Sequence, residues 1–212
     1  MDPTRDSEMD PIRVVFGRGT GPTEVAAYDA ALAAANLHNY NLSPLSSVVP
    51  PGATVRHVGT APPELGRIGD RVYAVEASAV GEDRAVAALA WGRTETTAGN
   101  DDDNGTENGS ENGTGNDPQG DRNHPEPTGP GLFYEASATG DLRGDEGEPD
   151  DTGDLVETVR KTASTGLDAG AALRGWEFED RRVVQESGVA RGSERVAAVV
   201  LAVYGSGDPI LS

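Results

Sequence analysis

The spacing of apolar residues along this chain predicts an α/β layered domain. Two stretches, one from Thr20 or Thr23 to about Asn36 and one from Asp154 to about Gly170, carry apolar side chains at helical spacing. About seven others are short, rich in Val and Ala and bounded by Gly, Pro or acidic clusters, as strands are. Helices and strands follow one another in mixed order rather than in separate blocks, which favours layers over two unlike domains. At 212 residues there is enough chain for one substantial core, so a single domain with decorations is expected.

Taken in order, residues 1–10 are polar and expected to be a flexible N-terminus, with the domain over 11–212. Ile12 to Phe16 reads as a strand ending at Gly17. The following Gly17-Arg18-Gly19-Thr20-Gly21 reads as a tight turn, because no Gly-Lys-Ser/Thr follows to make a phosphate cradle. Thr20 or Thr23 can cap the first helix, with Glu24 in its first turn. Val25, Tyr28, Leu32 and Ala35 mark its expected buried stripe. Asp29 then points into that stripe, where a carboxylate must be paired, solvated in a cleft or bonded to nearby backbone. Asn41 to Val49 reads as a strand interrupted by Pro44. Arg71–Val80 and Arg84–Gly92, separated by Gly81-Glu82-Asp83, predict a hairpin.

Residues from 94 to about 130 are Asn, Gly, Asp, Thr and Pro with almost no apolar side chains. They predict a disordered insertion between adjacent strands, tolerable because closure entropy grows only logarithmically with loop length. Leu132 to Ala138 resumes as a strand. A second acidic loop, about 141–153, leads to a helix whose Asp154 and Glu157 resemble a capping box. Leu155, Val159, Ala163 and Leu167 form its stripe, and Gly166 and Gly170 either weaken it or mark close packing. Glu177–Gln185 and Arg195–Tyr204 complete the strands, the latter buried.

Charge narrows the partners. The net charge is −19 and the pI about 4.3, which argues against nucleic acid or an anionic membrane as a partner. Such a surface fits a halophilic protein kept soluble in concentrated salt by hydrated carboxylates. There is no cysteine, hence no disulfide and no thiolate metal site. His38, His57 and His124 are scattered without metal-ligand spacing, so no metal is expected. Neither a signal peptide nor an apolar run long enough to span a bilayer is present, and a cytoplasmic location is expected.

Chemistry concentrates at Asn41-Leu42-Ser43-Pro44-Leu45-Ser46-Ser47-Val48-Val49-Pro50-Pro51. A serine hydroxyl can attack the carbonyl just before it, turn that amide into an ester, and lose the ester by elimination to leave a pyruvoyl group. A polar turn after a helix is the plainer reading of the same residues.

The surrounding order decides between them. A Gly/Thr segment at Gly17–Gly21 is followed by a helix carrying Tyr28-Asp29, by Asn39-Tyr40-Asn41-Leu42, and by Ser46-Ser47-Val48-Val49-Pro50-Pro51. Gly131-Leu132-Phe133-Tyr134-Glu135 and Leu173-Arg174-Gly175-Trp176-Glu177 come later. Together they resemble the pyruvoyl-dependent arginine decarboxylases over nearly the whole chain except the acidic insertion. The resemblance implies a four-layer αββα sandwich and cleavage between Ser46 and Ser47, giving a β subunit (1–46) and an α subunit (47–212). Ser47 would become the covalent pyruvoyl group, which would take the substrate amine as a Schiff base. Pyridoxal phosphate is not expected, since the sole lysine, Lys161, sits on a predicted solvated helix face beside Arg160.

By the same resemblance Asn41 serves self-processing, and its amide is suited to donate to the Ser46 carbonyl. Glu135 is the proton donor in decarboxylation, a role that calls for a desolvated carboxyl. Asp29 is the substrate-binding carboxylate for the guanidinium of L-arginine, a planar fork that lysine does not match. The products are agmatine, a polyamine precursor, and carbon dioxide, and the assembly is a homotrimer with sites between neighbours. Trp176 reads as packing, and Pro50-Pro51 as the fixed exit of the cleaved segment. Two alternatives stay open: the same chemistry on another amino acid, or an uncleaved trimeric paralogue that binds or regulates.

Overall fold

The computed structural model describes residues 10–95, 127–141 and 152–210. The N-terminal segment and most of the expected insertion and acidic loop therefore lie outside the described residues. Among those described are nine strands and two helices. In chain order these are β1 (Ile12–Gly21), α1 (Glu24–Ala34), β2 (Asn41–Pro44), β3 (Val48–Val49), β4 (Val55–Gly59) and β5 (Arg71–Gly81). They continue as β6 (Arg84–Arg93), β7 (Gly131–Gly140), α2 (Thr152–Ala172), β8 (Asp180–Val189) and β9 (Arg195–Asp208). The fold is mixed α/β with two sheets.

A five-stranded sheet has the order β2-β5-β9-β1-β4, and a four-stranded sheet the order β3-β7-β6-β8. In the first, β2 runs parallel to β5 and β4 parallel to β1, while β9 is antiparallel to both of its neighbours. The second is antiparallel throughout. Strand alternation sorts the side chains into three apolar seams. Ala198, Val200 and Ala202 of β9 meet Leu89, Trp91 and Phe133 between the sheets. The interleaved Ala197, Val199 and Leu201 face Ala27, Ala31 and Leu32 of α1. On the far side, Val86, Ala88 and Ala90 of β6 pack on Val159, Ala163 and Leu167 of α2.

Four local expectations are corrected. Gly17, Gly19 and Gly21 do not make a turn; they belong to β1 and lie beneath α1. A Cβ at Gly17 would stand 2.2 Å from the Ala31 carbonyl oxygen, and one at Gly19 2.5 Å from the Ala30 backbone. The glycines let the helix settle directly on the strand backbone. The buried face of α1 accordingly adds Ala27 and Ala31 to the expected Leu32, Ala35 and half-buried Tyr28, while Val25 is 76% exposed and Asp29 is exposed.

β5 and β6 are not a hairpin, because they belong to different sheets. All ten residues of β6 are buried. Such a strand needs cover on both faces, which it finds between β7 and β8 with α2 on one side and the first sheet on the other. Finally, α2 begins before Asp154, so that residue sits in the first turn and not at a cap. Gly166 does mark close packing: a Cβ there would stand 2.0 Å from the Tyr134 ring.

Two glycine substitutions should move stability in opposite directions. Gly19→Ala forces a methyl into helix backbone and should cost about 1–3 kcal/mol. Gly153→Ala, in α2 with nothing within 4 Å, should stabilise by up to about 1 kcal/mol. Urea unfolding of both variants checks the signs.

Candidate active site

The segment Leu45–Val48 is where the chain leaves one sheet for the other. The Leu45 N–H makes the last backbone–backbone bond to the first sheet, donating to the Ala74 carbonyl at 2.9 Å. The Phe133 N–H makes the first bond to the second, donating to the Ser47 carbonyl at 2.7 Å. Ser46 lies between them and is exposed. Pro44 supports this exit, since it cannot extend a ladder with an N–H of its own. The expected single strand Asn41–Val49 is thus two short ones, β2 and β3, in separate sheets.

At the crossing the Val48 N–H donates back to the Ser46 carbonyl at 2.8 Å, closing a tight turn centred on Ser47. The Ser47 hydroxyl donates to Glu135 Oε2 at 3.1 Å. Glu135 is two residues beyond Phe133 on β7, on the same face of the strand. Tyr204 of β9 donates its hydroxyl to the Val48 carbonyl at 3.0 Å, and its ring stands edge-on to Phe133 at 6.3 Å. Burial pushes the Tyr204 phenol above its ordinary value, which keeps it a donor.

The chain thus brings Ser46, Ser47 and Glu135 together. Asn41 sits at the start of β2, where its side-chain amide donates to the Gly69 carbonyl at 2.7 Å. Its backbone N–H donates to the Asp70 carbonyl at 2.9 Å. In this arrangement the Ser46 carbonyl has the Val48 N–H as its donor, not the Asn41 amide expected from sequence. Asp29 lies on the exposed side of α1 and, among the described residues, has no hydrogen bond to Ser47 or Glu135. Glu135 is exposed as well, against the desolvated setting expected from Phe133, Tyr134 and Ala136. Lys161 is exposed on α2, as expected.

Sequence reasoning missed Tyr204 and the two backbone donors. A tyrosine inside a buried strand was the available signal, since its hydroxyl must find a partner. A second bonded tyrosine is Tyr28 of α1, whose hydroxyl donates to Glu76 Oε1 at 2.7 Å. Its phenol is also pushed up, by burial first and then by the bond to Glu76 and nearby carboxylate charge.

Chemically, a hydroxyl bonded to a carboxylate stands beside a carbonyl that already accepts an N–H. Those are the parts an acyl shift onto Ser47 requires. A family model described as "Pyruvoyl-dependent arginine decarboxylase" matches residues 11–106. Proteins with that name from two strains of Halobacterium salinarum are 39% identical over 204 residues, covering 95% of this chain and 98% of theirs. The chain belongs to the pyruvoyl-dependent arginine decarboxylase family. A protein of that name from Methanopyrus kandleri is 29% identical over 191 residues, 90% of this chain and 93% of that one. The residues at Ser47 fit a group made from that serine, because its side chain and both flanking carbonyls each have a defined partner.

The raised phenols carry a pH signature. Both tyrosines hold their protons more firmly in the folded chain than unfolded. Their contribution to stability is fully present below the ordinary tyrosine value of 10.0 and is lost as pH rises through the higher folded-state values. Urea midpoints should therefore fall as pH climbs past about 10, and less so in Tyr28→Phe. A Tyr28→Phe chain with the parental slope would remove Tyr28 from that account.

Proposed function

We propose that this protein is a self-cleaving pyruvoyl-dependent decarboxylase that converts L-arginine to agmatine and carbon dioxide. The observation that carries this reading is the Ser47 hydroxyl bonded to Glu135 next to a Ser46 carbonyl that already accepts an N–H. Cleavage would give a β subunit of residues 1–46 and an α subunit of residues 47–212. The fold supports their staying together: β1 lies between β9 and β4, and β2 is paired along β5, so the smaller piece is built into the sheet. The three apolar seams support reading the single domain over 11–212 as a four-layer αββα sandwich. The insertion at about 94–130 then links paired neighbours β6 and β7, and the loop at about 141–153 links β7 to α2.

In this reading the pyruvoyl group supplies the electron sink for loss of carbon dioxide, and no metal is required. The chain's own residues bind, orient and move protons. Before cleavage, Glu135 accepts the Ser47 hydroxyl proton; in turnover it holds the proton that replaces the departing carboxylate on the substrate carbon. Asn41 serves processing by fixing the start of β2 against Gly69 and Asp70.

Asp29 supplies the planar fork for the guanidinium. Among the described residues of one chain it makes no bond to the Ser47 centre, and Leu45 (38% exposed) and Val48 (40%) leave apolar surface open beside that centre. Both facts favour a homotrimer in which a neighbouring copy covers the centre and brings its own Asp29. The same cover would supply the desolvation that Glu135 lacks alone.

Intact mass spectrometry tests the reading directly. The parental preparation should show two unequal fragments, the larger with a ketone in place of its terminal amine. Ser47→Ala should give one 21.9 kDa chain with no activity. An active preparation containing only intact chain overturns the proposal.

Asp29→Asn should leave cleavage intact yet raise the KM for arginine about thirtyfold, as loss of roughly 2 kcal/mol from a charge pair implies. Carbon dioxide release from arginine, lysine and ornithine at high salt measures it. Equal release from lysine and arginine would instead favour the same chemistry on another amino acid.

A further inference from the structure

Self-cleavage proceeds in two chemical stages, and each needs charge stabilised on a different oxygen. In the first, the Ser47 Oγ–H proton passes to Glu135 and Oγ bonds to the Ser46 carbonyl carbon, leaving negative charge on the Ser46 oxygen. The bond from that carbon to the Ser47 nitrogen then breaks, and the nitrogen takes the proton back, giving an ester and a free amine. In the second, Glu135, deprotonated again, takes the Ser47 Cα proton, and negative charge builds on the Ser47 carbonyl oxygen. The Cβ–Oγ bond breaks, and its electron pair leaves with the Ser46 carboxylate. The dehydroalanine left behind tautomerises to an imine, water adds, and ammonia departs to leave the ketone.

Both oxygens already have one backbone donor each. The Ser46 oxygen accepts from the Val48 N–H at 2.8 Å, and the Ser47 oxygen accepts from the Phe133 N–H at 2.7 Å. Neither donor needs to move when charge develops, the condition under which such groups contribute most. They are held by different contacts, and they meet at one peptide plane, because the Val48 N–H and the Ser47 carbonyl belong to the same peptide unit. Phe133 is fixed in β7 by pairing with Trp91 and by burial, being 1% exposed. Val48 is fixed by its carbonyl, which accepts the Tyr204 hydroxyl at 3.0 Å. That bond spans the two sheets and fixes the Val48–Val49 peptide plane, one φ/ψ pair away from the N–H that faces Ser46.

We propose that the two stages of cleavage are run by separate backbone donors, Val48 N–H for the acyl shift and Phe133 N–H for the elimination, with Tyr204 as the positioning residue for Val48. The proposal rests on the self-cleaving reading given above, and it assigns no role to side chains beyond Ser47, Glu135 and Tyr204. Its distinguishing consequence is that damage to the two donors should stop the reaction at different points.

The test replaces single backbone N–H groups by ester oxygens, using α-hydroxy acid analogues of Val48 and of Phe133 in the full chain. Cleavage is followed by mass spectrometry, with hydroxylamine added to trap the ester formed at Ser46 as a hydroxamate on the 1–46 fragment. Cutting at an introduced ester gives a fragment of different mass and is not confused with it. The Val48 variant should cleave about 100-fold more slowly and yield less trapped 1–46 hydroxamate than the parent. The Phe133 variant should also cleave slowly yet accumulate more of that hydroxamate, since the shift proceeds and the elimination does not. Tyr204→Phe, which keeps the ring on Phe133, should behave as a milder Val48 variant, about tenfold slow with little trapped ester.

A merely structural role would slow all three without this opposite movement of the trapped ester. Parental cleavage with a Val48 variant at the parental rate, or with equal trapping in the two backbone variants, overturns the proposal and leaves the self-cleaving reading standing. A parental chain that never cleaves overturns that reading, and this one with it.

Discussion

The crossing of the backbone from the first sheet to the second, between the Ala74 carbonyl and the Phe133 N–H, is the constraint on which the rest of this structure turns. A chain that changes sheets gives up ladder partners on both sides, and its polar groups must be satisfied some other way. Here the Ser46 carbonyl is satisfied by an N–H two residues ahead in the chain, which draws Ser47 into a tight turn. The turn presents the Ser47 hydroxyl to β7 at the position of Glu135. Geometry that a fold of this kind needs for its own connectivity also places a hydroxyl, a carboxylate and a hydrogen-bonded carbonyl within one step of each other.

Holding the two sheets in register keeps this arrangement. The seam between them carries the large side chains Leu89, Trp91 and Phe133 opposite the smaller Val200 and Ala202. Phe133 lies at 6.2 Å from Trp91 and 6.3 Å from Tyr204, so one aromatic run ties the sheets together beside the crossing. Outside that seam the packing uses small residues. Alanines of α1 sit on the glycines of β1, and Gly166 of α2 sits on the Tyr134 ring. Close approach of this sort leaves little freedom to slide, since dense interiors transmit displacement instead of absorbing it.

How much of this was legible in the sequence depends on what kind of signal each feature leaves. The stripe of α2 was legible because Val159, Ala163 and Leu167 stand out against polar neighbours. The stripe of α1 was legible only in part: Tyr28, Leu32 and Ala35 do face the core, but with alanine on nearly every face spacing also placed Val25 there, and the glycines of β1 decide the side through tertiary contact. The β5–β6 link read as a hairpin because local sequence does not record which sheet a strand will join. Around the crossing, Ser47 and Glu135 were singled out from sequence and do lie in hydrogen-bond contact, side chains being visible as letters. The Val48 and Phe133 N–H groups have no letter of their own. Asn41 and Asp29 were marked as site residues by resemblance, and among the described residues of one chain neither is bonded to Ser47.

The Ser46–Ser47 bond also joins two parts of the chain that are each held by their own neighbours. Upstream, β1 has β9 and β4 on its two edges, α1 is sealed by Ala27 and Ala31, and β2 is laid along β5. Downstream, β3 is anchored to β7 and to Tyr204. Each side is held by contacts that do not pass through the bond between them, so breaking that bond removes little of what stabilises either side. The chain entropy released is that of two segments already fixed by their own neighbours. A peptide bond placed at such a junction can be spent on chemistry while the surrounding layers keep the new ends in place.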